Sequence, residues 1–187
     1  MSQRVLIALD GSEISSKIVE FAAKTLSENS VITLFSVVPN VDLLCELDPP
    51  FIKGFTPKQY PDYCRTIQDE KGRLLEETLQ AGRQVFLGAG FKAESISTKI
   101  EIMKNDIALT IIEEARTGYD LIVLGRRGHS GLKKFLFGSV SQKILQAIKD
   151  ISILIVESKR ACKKQPSQHR QILKHLHHHF SYSLDIW

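Results

Sequence analysis

The feature that most constrains the fold is a regular alternation of strand-like segments with amphipathic segments of helical period. Such alternation is typical of a parallel sheet covered by helices on both faces, and right-handed crossovers make that sheet doubly wound. We therefore expect an α/β fold with five strands. The predicted strands are Val5–Leu9, Val31–Val38, Ala93–Ile102, Leu121–Leu124 and Ser152–Val156.

Four helices are expected between these strands, each from apolar residues at helical spacing and from capping residues at the ends. The first begins at Ser12 or Glu13, and the second runs from about Asp62 to Leu87, weakened in its middle by Gly82. The third is capped by Asn105 or Asp106, and the fourth spans 138–148. Their expected apolar faces contain Ile14, Ile18, Phe21, Ala22, Leu26; Leu74, Leu75, Leu79; and Ile107, Ile111, Ile112, Ala115.

Charge divides the chain into a near-neutral body and a basic tail. Residues 158–187 hold six Lys or Arg and one acid, which leaves 19 basic and 20 acidic residues in 1–157 although the whole chain is +4. We therefore expect one domain over 1–157 and a tail over 158–187. A nucleic-acid-binding domain normally carries its own basic face, so this class is not expected. The four prolines within 39–60 predict an irregular connection there.

No apolar run approaches the roughly 20 residues of a membrane span, and the N-terminus has no signal-peptide pattern. We expect no membrane contact and a cytoplasmic location. Cysteines number three (Cys45, Cys64, Cys162), without metal-ligand spacing; a Cys45–Cys64 disulfide is conceivable, but reduced thiols are favoured in cytoplasm. The tail histidines are compatible with a metal site or with a solvated tail, and they are His175, His177, His178 and His179.

One loop carries the pattern of an anion site. Gly125-Arg126-Arg127-Gly128 follows the fourth strand, and after nine further residues Gly138-Ser139 opens a helix. Glycines let backbone N–H groups approach an anion, and a helix N-terminus offers unpaired donors. Ser139 and Ser141 add hydroxyls, and one of the two arginines is expected to reach a phosphate. The alternative is that the glycines only allow the chain to turn between the strand and the helix, without binding an anion.

The spacing Gly-x2-Gly-x9-Gly-Ser after a strand resembles the nucleotide-binding loop of the universal stress protein family. The stretches 5–12 and 151–156 resemble that family's first and last strands, so the resemblance covers roughly residues 3–157. It implies strand order 3-2-1-4-5, with ATP and Mg²⁺ bound between strands 1 and 4. The binding residues it implies are Ala8, Leu9, Asp10, Val37, Gly125, Arg126, Arg127, Gly128, His129, Gly138, Ser139, Val140 and Ser141.

Within that set, Asp10 is expected beside the ribose or the metal, with a turn carboxylate as the alternative. Ala8, Leu9 and Val37 are expected to wall the adenine, a role compatible with core packing. His129 lacks a neighbouring carboxylate or second histidine, so it is expected to be a loop histidine rather than a catalyst. No catalytic residue and no metal ligand set is predicted beyond these.

The resemblance implies an ATP-binding stress-response protein that acts through bound and free states. The alternatives are a slow ATPase or autophosphorylating enzyme of the same fold, and a protein-interaction module with incidental nucleotide. A homodimer is expected through the strand 151–156, because an apolar edge strand invites pairing with a second copy. The regulatory protein partner is unknown. Neither a P-loop nor a Gly-x-Ser-x-Gly elbow is present, which excludes those enzyme classes.

Overall fold

The computed structural model describes residues 2–40, 60–126 and 137–157, with the side chains of 60–64 and 67 excepted. Five parallel strands form one sheet in the order β3-β2-β1-β4-β5, as expected from the sequence. The strands are β1 (Arg4–Ala8), β2 (Val31–Val38), β3 (Ile96–Ile102), β4 (Leu121–Gly125) and β5 (Ser152–Val156). The helices are α1 (Glu13–Thr25), α2 (Tyr60–Gly88), α3 (Ile107–Ala115) and α4 (Ser139–Ala147).

Two apolar layers cover the sheet, one on each face. On the first face, α1 and α2 bury Val19, Leu79 and Phe86 against strand residues such as Ile7 and Leu34. On the second face, α3 and α4 bury residues against the alternate positions of the same strands. The members of this second layer include Leu6, Phe35, Ile122, Ile111, Ile112 and Ile144. The period-two alternation of buried strand residues therefore divides the core between the faces.

Two of the expected apolar faces are wrong in one residue each. Phe21 of α1 is 44% exposed and Leu74 of α2 is 54% exposed. On α2, the pair Leu75 and Leu79, four residues apart, points at the sheet, whereas Leu74 is turned about 100° away from Leu75. Each helix contacts the sheet along a narrower stripe than its apolar residues suggest.

The third strand begins later than expected. Residues Ala93–Ser95 form a single 3-10 turn, and β3 starts at Ile96. Both the backbone N–H and the hydroxyl of Ser95 donate to the Lys92 carbonyl, at 3.0 and 2.8 Å. This side-chain hydrogen bond closes a turn. Pairing with β2 therefore begins only at Ile96.

Candidate functional site

The carboxyl edge of the sheet between β1 and β4 is the candidate site. These two strands are central neighbours, in the register Ile7 to Val123. The helix after β1 packs on the first face, whereas the helix after β4 packs on the second. Because the chain leaves the two strands in opposite directions, a crevice opens between their carboxyl ends, which is where ligands bind in open α/β sheets.

The N-terminus of α4 borders this crevice. Its N-cap is Gly138, which has no side chain to cap the first turn; the Gly138 N–H donates to the Arg126 carbonyl at 2.9 Å. The backbone N–H groups of Ser139, Val140 and Ser141 lie in the first turn, where no intrahelical acceptor exists. Gly138 has φ −70°, which any residue adopts, so only close approach of another group would require glycine here.

The two serines of this turn have different surroundings. Ser141 is buried, and its hydroxyl donates to the Gly125 carbonyl at 2.8 Å. It therefore ties the first turn of α4 to the end of β4. Ser139 is exposed at the start of the helix, so its hydroxyl is open to a ligand. Val140 is half-buried and packs against the second apolar layer.

Asp10 organises the turn after β1. Its Oδ1 accepts from the Ser12 backbone N–H at 3.0 Å, the Ser12 hydroxyl at 2.5 Å and the Ser15 hydroxyl at 3.0 Å. The turn role weighed from the sequence is thus present, with Gly11 at φ 74° completing the tight bend. The role beside a ribose or a metal stays a prediction, and Asp10 lies at the edge that such a role requires.

The three residues expected to wall an adenine do not share one face. Ala8 and Val37 pack with the second apolar layer, where Ala8 is partly exposed. Leu9 is buried in the first layer. Its backbone is also occupied, since its N–H donates to the Phe35 carbonyl and its carbonyl accepts from the Ser36 hydroxyl. Ala8 and Val37 are therefore better placed than the Leu9 side chain to meet a base on the α3–α4 side.

Arg126 lies at the start of the glycine-bounded loop and is paired with an acid. Its guanidinium contacts the Glu157 carboxylate at 2.5 Å, just beyond β5. Glu157 is itself exposed. Gly125 is the last residue of β4, which therefore ends one residue later than expected. Arg127, Gly128 and His129 lie outside the described residues.

Sequence reasoning missed two buried hydroxyls at this edge. Ser15 and Ser36 are each 1% exposed and hold the turn after β1 through Asp10 and Leu9. Ser36 gave a usable signal, because it is a polar residue in the second half of a strand that is apolar apart from Thr33. Ser15 gave none, since serine in the first turn of a helix is common.

Within the described residues, no three His, Cys, Asp or Glu side chains converge as a metal site would require. The cysteines expected to be reduced and the tail histidines fall outside the parts whose side chains are described. No helix in those same parts of the chain is long and apolar enough to cross a membrane.

Residues 1–156 match the sequence profile of the universal stress protein family. The chain belongs to that family. The stress response protein NhaX of Bacillus subtilis (strain 168) is 32% identical over 170 aligned residues, covering 83% of this chain and 98% of that protein. The present chain is therefore a universal stress protein, related to proteins of the stress response.

Solved structures agree on the fold of this universal stress protein. Universal stress protein UspA from Lactobacillus plantarum has a TM-score of 0.59 at 17% identity, covering 84% of this chain and 97% of that chain. A universal stress protein solved in complex with cAMP has a TM-score of 0.50 at 19% identity, covering 84% and 98%. At these identities the similarity establishes the shared architecture.

Proposed function

We propose that this universal stress protein binds an adenine nucleotide, ATP with Mg²⁺, in the crevice between β1 and β4. The bound and free states would then act as a regulatory signal in the stress response. The proposal extends the family assignment to a ligand, and it rests on the geometry of the crevice.

The observation that carries the proposal is the uncapped start of α4 beside the end of β4. Three backbone N–H groups, of Ser139, Val140 and Ser141, begin a helix whose N-cap has no side chain. A helix start of this kind attracts an anion through its donors and its partial positive charge. At the start of α3, by contrast, the Asp106 carboxylate already accepts from the first backbone N–H groups of the helix. The α4 site is thus complementary to the phosphates of a nucleotide.

The crevice also offers an apolar surface beside the phosphate donors. Ala8 and Val37 stand on the side of the sheet from which α4 begins, next to the carboxyl end of β1. A flat base packed there would leave its phosphates directed toward α4. The relative solved with cAMP supports an adenine nucleotide as the ligand class.

Mg²⁺ would be held mainly by phosphate oxygens and water, which is its usual state in nucleotide sites. Asp10 is the carboxylate that the sequence suggests for the metal, but three donors already bond its Oδ1. The metal therefore belongs to the proposal as a companion of the triphosphate rather than as a protein-held ion.

The test is isothermal titration of the purified protein with ATP, ADP, cAMP and adenosine, beside a Gly138→Val variant. A branched side chain at Gly138 would stand where the phosphate must approach, so we expect at least a tenfold loss of ATP affinity, about 1.4 kcal/mol. Gly88→Val is the matched control, because a Cβ at Gly88 meets no heavy atom within 4 Å. Unchanged ATP affinity in folded Gly138→Val protein would reject the site.

Mass spectrometry of small molecules that copurify with the protein separates binding from turnover. Retained ATP would support a nucleotide-dependent switch, whereas retained ADP or AMP would favour the slow ATPase or autophosphorylating alternative. The homodimer through β5, the cytoplasmic location and the division at residue 157 into domain and tail remain predictions from the sequence.

A further inference from the structure

One carboxylate joins the beginnings of α3 and α4. Asp106 is the N-cap of α3, where its Oδ1 accepts from the backbone N–H groups of Ala108 at 2.8 Å and Leu109 at 3.3 Å. Its Oδ2 accepts from the ammonium group of Lys143 at 2.5 Å. Lys143 belongs to α4, so a single side chain caps one helix and holds the next.

This link lies at the same edge of the sheet as the crevice. Each helix that follows a parallel strand starts at the carboxyl edge and returns toward the amino edge, so α3 and α4 begin side by side. Lys143 comes four residues after Ser139, which places the two on the same side of α4, one turn apart. The ion pair is therefore one helical turn from the proposed phosphate donors.

The link is formed by two charged side chains that are both partly exposed: Lys143 is 57% exposed and Asp106 is 32% exposed. Burial raises the pKa of Asp106, but hydrogen bonds from Lys143 and from the Leu109 and Ala108 N–H groups outweigh it, and the pKa lies below its ordinary value. The carboxylate is thus charged at neutral pH.

We propose that Asp106 and Lys143 are positioning residues of the nucleotide site, fixing the first turn of α4 so that its N–H groups face the phosphates. This inference rests on the proposed function. Neither side chain contacts the ligand in this view. They affect affinity by placing α4. Their loss should therefore weaken the binding of the phosphates, which α4 contacts, and leave the binding of the adenosine part unchanged.

The experiment compares Asp106→Asn, Lys143→Met and the double variant by titration with ATP and with adenosine. Asparagine is as good an N-cap as aspartate, so Asp106→Asn keeps α3 capped while its amide cannot replace the ion pair. We expect each single variant to weaken ATP binding by roughly threefold to tenfold. The double variant should bind ATP no more weakly than the single variant with the lower affinity, because both substitutions break the same link. Adenosine binding should be unchanged in all three variants. Lys143→Arg, which retains a cation for Asp106, should restore the ATP affinity.

The signs of the two single effects separate positioning from simple charge. If charge alone acted, removing the negative Asp106 would strengthen ATP binding, whereas removing the positive Lys143 would weaken it. Lys104→Met is the control for loss of a cation, because Lys104 pairs at 3.6 Å with Glu113 on α3, and no ion pair joins it to α4 among the described residues. We expect that variant to retain the wild-type affinity for ATP.

Opposite shifts in the two single variants, or equal losses for ATP and adenosine, would overturn the positioning role and leave the proposed function intact. Wild-type protein that binds no nucleotide would overturn the proposed function, and this inference with it. Amide hydrogen exchange adds a readout without ligand: Gln142, whose N–H bonds to the Gly138 carbonyl, should exchange faster in both single variants than in Lys104→Met. Unchanged exchange would contradict the claim that the pair fixes α4.

Discussion

At the scale of single residues, Ser139 and Ser141 show that two serines of one motif can have different roles. Both are hydroxyls in the first turn of α4, and the sequence suggested one shared role, donation to phosphate. Ser141 instead donates to Gly125, whereas Ser139 is exposed. The difference arises because residues two apart on a helix point in directions about 200° apart.

We expect Ser141→Ala to destabilise the protein by about 1 kcal/mol, because it leaves the partly buried Gly125 carbonyl without the hydroxyl that it accepts from. Ser139→Ala should leave the free energy of unfolding within about 0.5 kcal/mol of wild type, and weaken ATP binding more than adenosine binding. Urea unfolding and titration calorimetry measure the two effects. Equal destabilisation by both substitutions would refute this division of roles.

The stability contributed by the charge of Asp106 should depend on pH in a defined direction. Its pKa in the folded protein lies below the ordinary value, since the hydrogen bonds from Lys143 and two backbone N–H groups outweigh the effect of burial. This contribution is complete above the unfolded-state pKa of about 3.9 and is lost as pH falls through the lower folded-state pKa. The stability lead of wild type over Asp106→Asn, measured in urea, should therefore be largest near neutral pH.

That lead should shrink as the pH falls below about 3.9 and then through the lower folded-state pKa, because the carboxyl group becomes protonated in both states. Lys143→Met supplies the comparison: it removes the ion pair but keeps the backbone hydrogen bonds to Asp106, so it should lose only part of the pH dependence. A lead that grows on acidification would show that the carboxylate is not stabilised by these contacts.

At the scale of elements, α2 shows why a helix can need a glycine in its middle. A Cβ at Gly82 would lie 3.1 Å from Leu34 Cδ1 and 3.2 Å from Val19 Cγ2, in the layer between α2, β2 and α1. Gly82 therefore lets α2 approach the sheet closely. The sequence reading counted only its cost to helix formation, because propensity is local and this packing joins residues far apart in the chain.

Gly72 and Gly82 form a matched pair within this helix. At Gly72 the nearest described atom to a new Cβ is Val38 Cγ2, at 4.0 Å. We expect Gly72→Ala to stabilise the protein by about 0.5–1 kcal/mol through helix propensity. We expect Gly82→Ala to cancel that gain or to destabilise by about 1 kcal/mol through overpacking. Chemical denaturation of both variants gives the comparison, and an equal gain in both would mean that Leu34 and Val19 yield without cost.

The order and type of the described elements followed from sequence, because buried parallel strands and amphipathic helices have distinct periods that strong apolar runs make visible. The expectations that were wrong depended on particular contacts that the apolar pattern of the sequence does not indicate. The start of β3 depends on a bond between Ser95 and Lys92, and the exposure of Phe21 depends on how far α1 rotates against the sheet. The ion pair between Asp106 and Lys143 joins residues 37 positions apart, and no local pattern indicates it.

At the scale of the whole molecule, β5 lies at one edge of the sheet. Ser152 N–H donates to the Asp120 carbonyl and the Val156 carbonyl accepts from Arg126, so these two residues bond toward β4. Because bonding directions alternate along a strand, the N–H groups of Ile153 and Ile155 point outward. Their side chains pack against the second apolar layer, so the free part of this edge is its backbone.

We expect the protein to be a homodimer through this backbone edge, and Ile155→Pro to make it a monomer in light scattering, because proline removes an outward donor and leaves the bonds to β4. Ile155→Val is the control, since it keeps the donor and most of the packing. Wild-type protein that is monomeric at high concentration would reject the β5 dimer. A dimer that appears only after deletion of residues 158–187 would mean that the tail covers the edge.

All five strands run in the same direction, so β1 starts at the amino edge of the sheet and β5 finishes at the carboxyl edge. Residue 157 is accordingly at the carboxyl end of the sheet, where it pairs with Arg126 at the start of the glycine-bounded loop, whereas the residues before Arg4 lie at the opposite end of the strands. A fluorophore attached at position 157 would sense ligand entering the crevice, and an identical label ahead of Arg4 would serve as its silent reference. The same polarity makes the N-terminal side the safer place for an affinity tag in binding assays.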